Sequence, residues 1–142
     1  MPASEQTLMI IKPDGVRRGL VSQILDRVKG AGFIIVDKKH YTFARESAEN
    51  LYAVHKGKHF FDSLMKYALS GPVVVLKLER EGAVSKLRDL IGATDPAKAV
   101  TGTIRGDFKD PQAIKDPSVM ENLVHASDSL ENAKRELSIF FS

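Results

Sequence analysis

Cysteine is absent from the 142 residues, which excludes disulfides, thiolate nucleophiles and cysteine-ligated metal sites and suits a reducing compartment. No apolar run approaches the roughly 20 residues that cross a bilayer. The polar start, Met1 to Glu5, lacks the apolar core of a secretion signal, so the expected location is cytoplasmic. There is no internal repeat and no low-complexity segment. Neither Gly-x-x-x-x-Gly-Lys-Ser/Thr nor a Gly-x-Gly-x-x-Gly after a strand occurs. The usual backbone cradles for nucleotide phosphates are therefore missing, and any phosphate site must be built from side chains. Charge of one sign is scarcely in excess: 21 basic against 18 acidic residues leave +3. That bias could favour phosphate-bearing ligands but falls far short of a nucleic-acid-binding arm.

What the chain does contain is the composition of an ordinary folded protein, 43% hydrophobic and 27% charged. Its length suits one domain over residues 1–142, with a core that needs no staples. The apolar run Leu8, Met9, Ile10, Ile11, between Thr7 and Lys12, predicts a buried strand that Pro13 breaks into a turn. Leu20, Val21, Ile24, Leu25 and Val28 share one helical face, and Gly30 and Gly32 end that helix. Phe33 to Phe43 reads as a strand, Ala48, Leu51, Tyr52 and His55 return to helical spacing, and a second short helix follows around Phe60 to Leu69. After Gly71-Pro72, Val73 to Leu76 predict another buried strand, and Ala83, Val84, Leu87, Leu90 and Ile91 another amphipathic helix.

Gly92 to Gly102 has no helical period and contains Pro96, so it reads as a long ordered loop of the kind that carries function; a second loop spans Lys109 to Glu121. A short strand is expected at Leu123 to His125. Asp128 and Glu131 then have the spacing of a capping box, opening a helix with Leu130, Ala133 and Leu137 inward. This order fits a sheet covered by helices with a split β-α-β arrangement. The class is α/β or α+β, because the choice depends on strand pairing that spacing does not supply.

Lys12 at a strand end, Arg88 on a helix, Thr94 in the long loop and Arg105 beside glycines are candidates for a side-chain phosphate site. By residue type alone, most such cations are solvated surface groups. His125 ends a short strand before Ala-Ser-Asp-Ser and a helix. Imidazole is largely neutral and nucleophilic near pH 7, and it can take a phosphoryl group and release it to a second acceptor. A structural histidine satisfied by its neighbours is the more ordinary reading of such a residue. His55 and His59, four apart, could share a helix face, but no third ligand accompanies them and no protein metal site is expected. Tyr52, Phe60 and Phe61 could stack on a base, although aromatics at helical spacing are more often core.

Taken together, Lys12-Pro13-Asp14-Gly15, Gly102-Thr103-Ile104-Arg105-Gly106-Asp107-Phe108 and Asn122-Leu123-Val124-His125-Ala126-Ser127-Asp128-Ser129 resemble the signature segments of nucleoside diphosphate kinases. Phe60-Phe61 and Ser70-Gly71-Pro72-Val73-Val74 also match in order and spacing, so the resemblance runs from about Thr7 to Phe141. It implies a ferredoxin-like β-α-β-β-α-β core with an antiparallel sheet covered by helices. It also implies a ping-pong transfer of the γ-phosphate of a nucleoside triphosphate, typically ATP, to a nucleoside diphosphate through phosphorylated His125.

By the same resemblance Lys12 and Asn122 would contact the ribose hydroxyls, with Lys12 and Tyr52 near the travelling phosphate. Arg88, Thr94 and Arg105 would grip the β and γ phosphates, Phe60 would stack on the base, and Ser127 and Glu136 would orient the imidazole. Stacking alone accepts any base, so broad specificity is implied. Mg²⁺ would arrive with the nucleotide, held by phosphates and waters, as no carboxylate cage is evident. Relatives are usually hexamers, with some tetramers, so a homo-oligomer is implied, hexamer favoured.

Two departures stand out. Lys58-His59 replaces the Arg-Pro that many relatives carry before the paired phenylalanines, and Lys109 to Glu121, with Pro111 and Pro117, is longer than the usual link. Residues flanking the base on that side therefore do not transfer. A nucleotide- or nucleic-acid-binding regulatory module on the same fold is the alternative, using the basic excess. A histidine-based phosphatase would need a base for water, which no residue suggests. Every matched position holds the expected residue type, and a binding module has no chemical use for His125 with Ser127 and Glu136 beside it.

Overall fold

The run Leu8 to Ile11 is apolar at every position rather than alternate ones because both of its faces are covered. In the computed structural model, which describes residues 4–110 and 121–141, it lies in strand β1 (Ser4–Ile11). Met9 and Ile11 pack with Val74, Leu76 and Leu78 against Ile24, Val28, Leu87 and Ile91 on one side of the sheet. Leu8 and Ile10 pack with Val73 and Val75 against Leu51, Met65 and Phe140 on the other. Successive side chains on a strand point to opposite faces, so two covered faces demand an unbroken apolar run. Fully buried residues such as Leu76 and Leu87 each contribute about 1.5–3 kcal/mol by leaving water.

The other strands are β2 (Ile34–Tyr41), β3 (Val73–Glu81) and β4 (Val124–Ala126), and the sheet order is β2-β3-β1-β4. All three pairings are antiparallel, which settles the class as α+β with the ferredoxin-like arrangement. The helices are α1 (Pro13–Arg17), α2 (Val21–Gly30), α3 (Arg45–Leu51), α4 (Phe61–Ala68), α5 (Ala83–Ile91), α6 (Ile104–Phe108) and α7 (Leu130–Phe140). Short 3-10 turns stand at Ala53–His55 and Pro96–Lys98. No helix among the described residues is long and apolar enough to cross a membrane.

Several boundaries differ from the sequence reading. Pro13 does end β1, but it also opens α1, where its missing N–H is harmless. β3 continues to Glu81, five residues beyond the apolar Val73–Leu76 run, because it pairs along the whole of β1. The last strand lies one residue later than expected, and the cap of α7 is Ser129, whose hydroxyl accepts the Asn132 N–H at 3.0 Å. Asp128 instead accepts from the Asn132 side chain. The expected box of Asp128 and Glu131 does not form, because Ser127 is anchored to Glu136 on α7 and that bond fixes the helix register. The Gly92–Gly102 loop carries a 3-10 turn capped by Asp95 and leads into α6, capped by Thr103. Pro111 and Pro117 of the second loop lie outside the described residues.

Candidate active site

The end of β1 and the start of β4 build the floor of the site. Their pairing sets Ile10 opposite His125 and Ile11 opposite Val124, so the residue after β1, Lys12, comes alongside the residues before β4. Its backbone N–H donates to the Leu123 carbonyl at 2.8 Å, and its Nζ donates to Asn122 Oδ1 at 2.9 Å. The other end of the Asn122 amide donates to the Thr94 carbonyl at 3.0 Å, which brings the long loop to the same place. Leu123 has φ 73°, alone among the described non-glycine residues. Val124 N–H donates back to the Asn122 carbonyl at 2.8 Å, closing a three-residue γ-turn of the rare positive-φ kind.

His125 sits on the α3 and α7 face of the sheet, half-buried. Its Nε2 lies 2.8 Å from Glu136 Oε1, and Ser127 Oγ donates to that same oxygen at 2.8 Å. A carboxylate only accepts, so Nε2 carries a hydrogen toward Glu136, and in the neutral ring Nδ1 is then the nitrogen with the free lone pair. Ser127 thus reaches the imidazole through Glu136 rather than directly. Tyr52, just after α3, meets the imidazole edge-on with ring centroids 6.1 Å apart. Burial, followed by the charges of Glu136 and Asp14, pushes its hydroxyl above the ordinary tyrosine value and keeps it protonated.

The cationic side is uneven. Lys12 is buried, and its ammonium is lowered to about 8 by that burial and then by Arg105, with Asp14 opposing. Arg105 is also buried and is held by three carbonyls, those of Asn122, Gly92 and Val124, at 3.1, 3.1 and 2.6 Å. Burial and then Arg88 lower it to about 10, and at neutral pH it stays charged, with three of its five N–H groups committed to these carbonyls among the described residues. Arg88 and Thr94 are exposed on the same cavity. Two guanidiniums facing one cavity mark a site that favours anions.

Nine of the ten residues chosen from sequence, Phe60, His125 and Glu136 among them, line one cavity of about 1100 Å³. Ser127 stands behind Glu136, fully buried. Phe60 is the partly exposed aromatic at the start of α4, flanked by the rings of His55 and His59 at 5.4 and 5.6 Å. Those two histidines contact Phe60 instead of facing together, and no group of three His, Cys, Asp or Glu among the described residues could hold a metal. Sequence reasoning missed the buried hydrogen bonds that Asp14 makes with the Tyr67 hydroxyl and the Leu123 N–H beneath the site, although Asp14 lies inside a quoted motif. The partners of Asp14 are 109 and 53 residues away, which no local signal reveals. It also missed Arg135, which donates to the Asn50 and Leu51 carbonyls and sits 3.7 Å from Glu136 Oε2.

The family model described as nucleoside diphosphate kinase matches residues 5–142. A nucleoside diphosphate kinase of Campylobacter jejuni is 52% identical over 137 residues, 96% of this chain and 95% of its own. That of Wolinella succinogenes is 51% identical over 138 residues, covering 97% and 96%. Among solved structures, the Aquifex aeolicus nucleoside diphosphate kinase superposes with a TM-score of 0.89 at 38% identity over 99% of this chain and 96% of that one. An NDP kinase from Pyrobaculum aerophilum gives 0.88 at 35% identity, covering 99% and 97%.

Proposed function

The chain belongs to the nucleoside diphosphate kinase family and is an enzyme of that type, and from that premise we propose that His125 Nδ1 is the atom that carries the phosphate. The observation that carries this reading is the 2.8 Å contact of Nε2 with Glu136, which leaves Nδ1 as the nucleophilic nitrogen in a cavity lined by Lys12, Arg88 and Arg105. Nδ1 attacks the γ-phosphorus of a nucleoside triphosphate, the bond from that phosphorus to the β,γ-bridging oxygen breaks, and the nucleoside diphosphate leaves. A second nucleoside diphosphate then attacks phospho-His125 through its terminal oxygen, and the phosphorus–nitrogen bond breaks. Little covalent machinery is needed beyond positioning and charge neutralisation.

The chain's own groups divide that work. Glu136 stabilises the positive charge that the ring gains as Nδ1 is phosphorylated, and Ser127 holds Glu136 in place. Lys12, Arg105, Arg88 and Thr94 take up charge on the β and γ phosphates, with Asn122 bracketing Lys12 toward the ribose and Tyr52 limiting motion of the imidazole. Phe60 offers a π face to any base, which supports broad specificity. Mg²⁺ enters as part of the nucleotide substrate, bound by phosphates and water. Residence in the cytoplasm and assembly as a homo-oligomer, a hexamer in preference to a tetramer, complete the proposal. Association is supported by the outer edge of β2, where Ile34 and Val36 are 63% and 45% exposed. A role as a nucleotide- or nucleic-acid-binding module alone is not favoured.

The test is to incubate the protein with γ-labelled ATP and Mg²⁺, isolate it, and add unlabelled GDP. Acid-labile label on the wild type that is absent from His125→Ala and moves to GDP is the expected result. No label on the wild type, with GTP still formed, would replace the covalent relay by direct transfer between two bound nucleotides.

A further inference from the structure

Asp14, the second residue of α1, takes no part in the chemistry above, yet both of its oxygens are committed and it is only 2% exposed. Oδ1 accepts the Tyr67 hydroxyl from α4, and Oδ2 accepts the backbone N–H of Leu123 at 3.1 Å. Leu123 is the left-handed centre of the γ-turn. A non-glycine residue holds such a conformation only where its surroundings over-determine it. Here the Lys12 N–H grips its carbonyl at 2.8 Å and Asp14 grips its N–H. The contact between α1 and the turn is close: a Cβ on Gly15 would stand 3.2 Å from the Leu123 carbonyl oxygen and 2.9 Å from Ile11 Cγ2.

The turn is where the site's parts are set against one another. On its near side Asn122 bridges Lys12 Nζ and the Thr94 carbonyl; two residues beyond its centre stands His125. We propose that Asp14 is a positioning residue for phosphoryl transfer, which fixes the Leu123 turn and, through it, where Lys12, Asn122 and His125 stand relative to one another. The inference rests on the reading of His125 given above. The carboxylate has a second effect on the same group. Lys12 is faced by Asp14 from α1, Arg105 from α6, the Tyr67 ring from α4 at 5.6 Å, His55 from the 3-10 turn, and Asn122. Of these, Asp14 is the one that raises the ammonium's affinity for its proton, so it helps keep Lys12 cationic at neutral pH.

The experiment compares wild type, Asp14→Asn and Tyr67→Phe in the phosphorylation half-reaction from pH 6 to 10, with circular dichroism and melting recorded in parallel. Asp14→Asn keeps the shape but loses the charge and presents an N–H to one of its two donors. The expected result is a fall in kcat of at least tenfold with KM within threefold, and an alkaline limb displaced to lower pH. Tyr67→Phe should lower kcat about three- to tenfold and leave the limb in place. Asp14→Asn within threefold of wild type, or a loss with the limb unmoved, overturns the proposal. If Asp14→Asn fails to fold, Tyr67→Phe decides, and an unchanged kcat there overturns it. Absence of labelled His125 in the wild type defeats the relay itself and is read separately.

Discussion

His125 and Glu136 meet through Nε2 and Oε1 at 2.8 Å, and in the neutral ring that single bond selects the tautomer in which Nδ1 is the nitrogen free to act as the proposed nucleophile. Glu136→Gln replaces a pure acceptor by an amide that can turn either end toward the ring. It should slow phosphorylation of His125 by on the order of 10²-fold. Nitrogen NMR of the imidazole should show the Nε2–H tautomer in the wild type and a mixture in the variant; a single tautomer in both would mean that another contact fixes the ring.

In the role proposed for Lys12, stability and function conflict. Its ammonium is lowered from 10.5 to about 8, by burial first, so the unfolded chain holds this proton more tightly than the folded one. The protonated group therefore opposes folding in full below about pH 8, and the opposition fades as pH rises from about 8 toward 10.5. Lys12→Met should abolish phosphoryl transfer while stabilising the fold by about 1–3 kcal/mol at pH 7. Calorimetry should show that advantage shrinking by pH 10. Melting below the wild type at pH 7 would show that the Asn122 and Asp14 contacts outweigh the burial.

Phe60→Ala tests the stacking face. Loss of one base–aromatic contact is worth about 1–3 kcal/mol, or roughly 5- to 150-fold in KM. The rise should be similar for ATP, GTP, CTP and UTP, with kcat little changed. A rise confined to purines would show a base-edge contact that the cavity lining does not reveal.

Thr7 carries a fully buried hydroxyl with no hydrogen-bond partner among the described residues. Thr7→Val keeps the branched shape and removes the unpaired group, so it should raise stability by about 1 kcal/mol, or roughly 2–4 °C in melting temperature. Activity should not change, since Thr7 pairs with Leu78 well inside the sheet. A lower melting temperature would mean that the hydroxyl has a partner after all.

How much of this was legible depends on how far apart the interacting residues lie. Leu8 to Ile11 announced a doubly covered strand by leaving out the polar alternation, and Pro13 marked its end. The extension of β3 to Glu81 was not legible, because Lys77, Glu79 and Arg80 are polar residues held in a strand by pairing with β1 and β2. The α7 cap was misplaced by one residue for a similar reason: Asp128 and Ser129 are both good caps locally, and the bond from Ser127 to Glu136 chose between them.

Which chemistry-bearing side chains exist, their order, and a pattern of apolar residues that allows few folds are all written in the chain. What those side chains do to one another follows from packing. Asn122 is 110 residues from Lys12, and Leu123 is 109 from Asp14. Such contacts form when β4 docks antiparallel on β1, and hydrogen bonds at that separation leave no periodicity in the chain to read. The left-handed turn at Leu123, the lowered affinity of Lys12 for its proton and the shared oxygen of Glu136 are therefore properties of the packed molecule, where burial and distance set the energies.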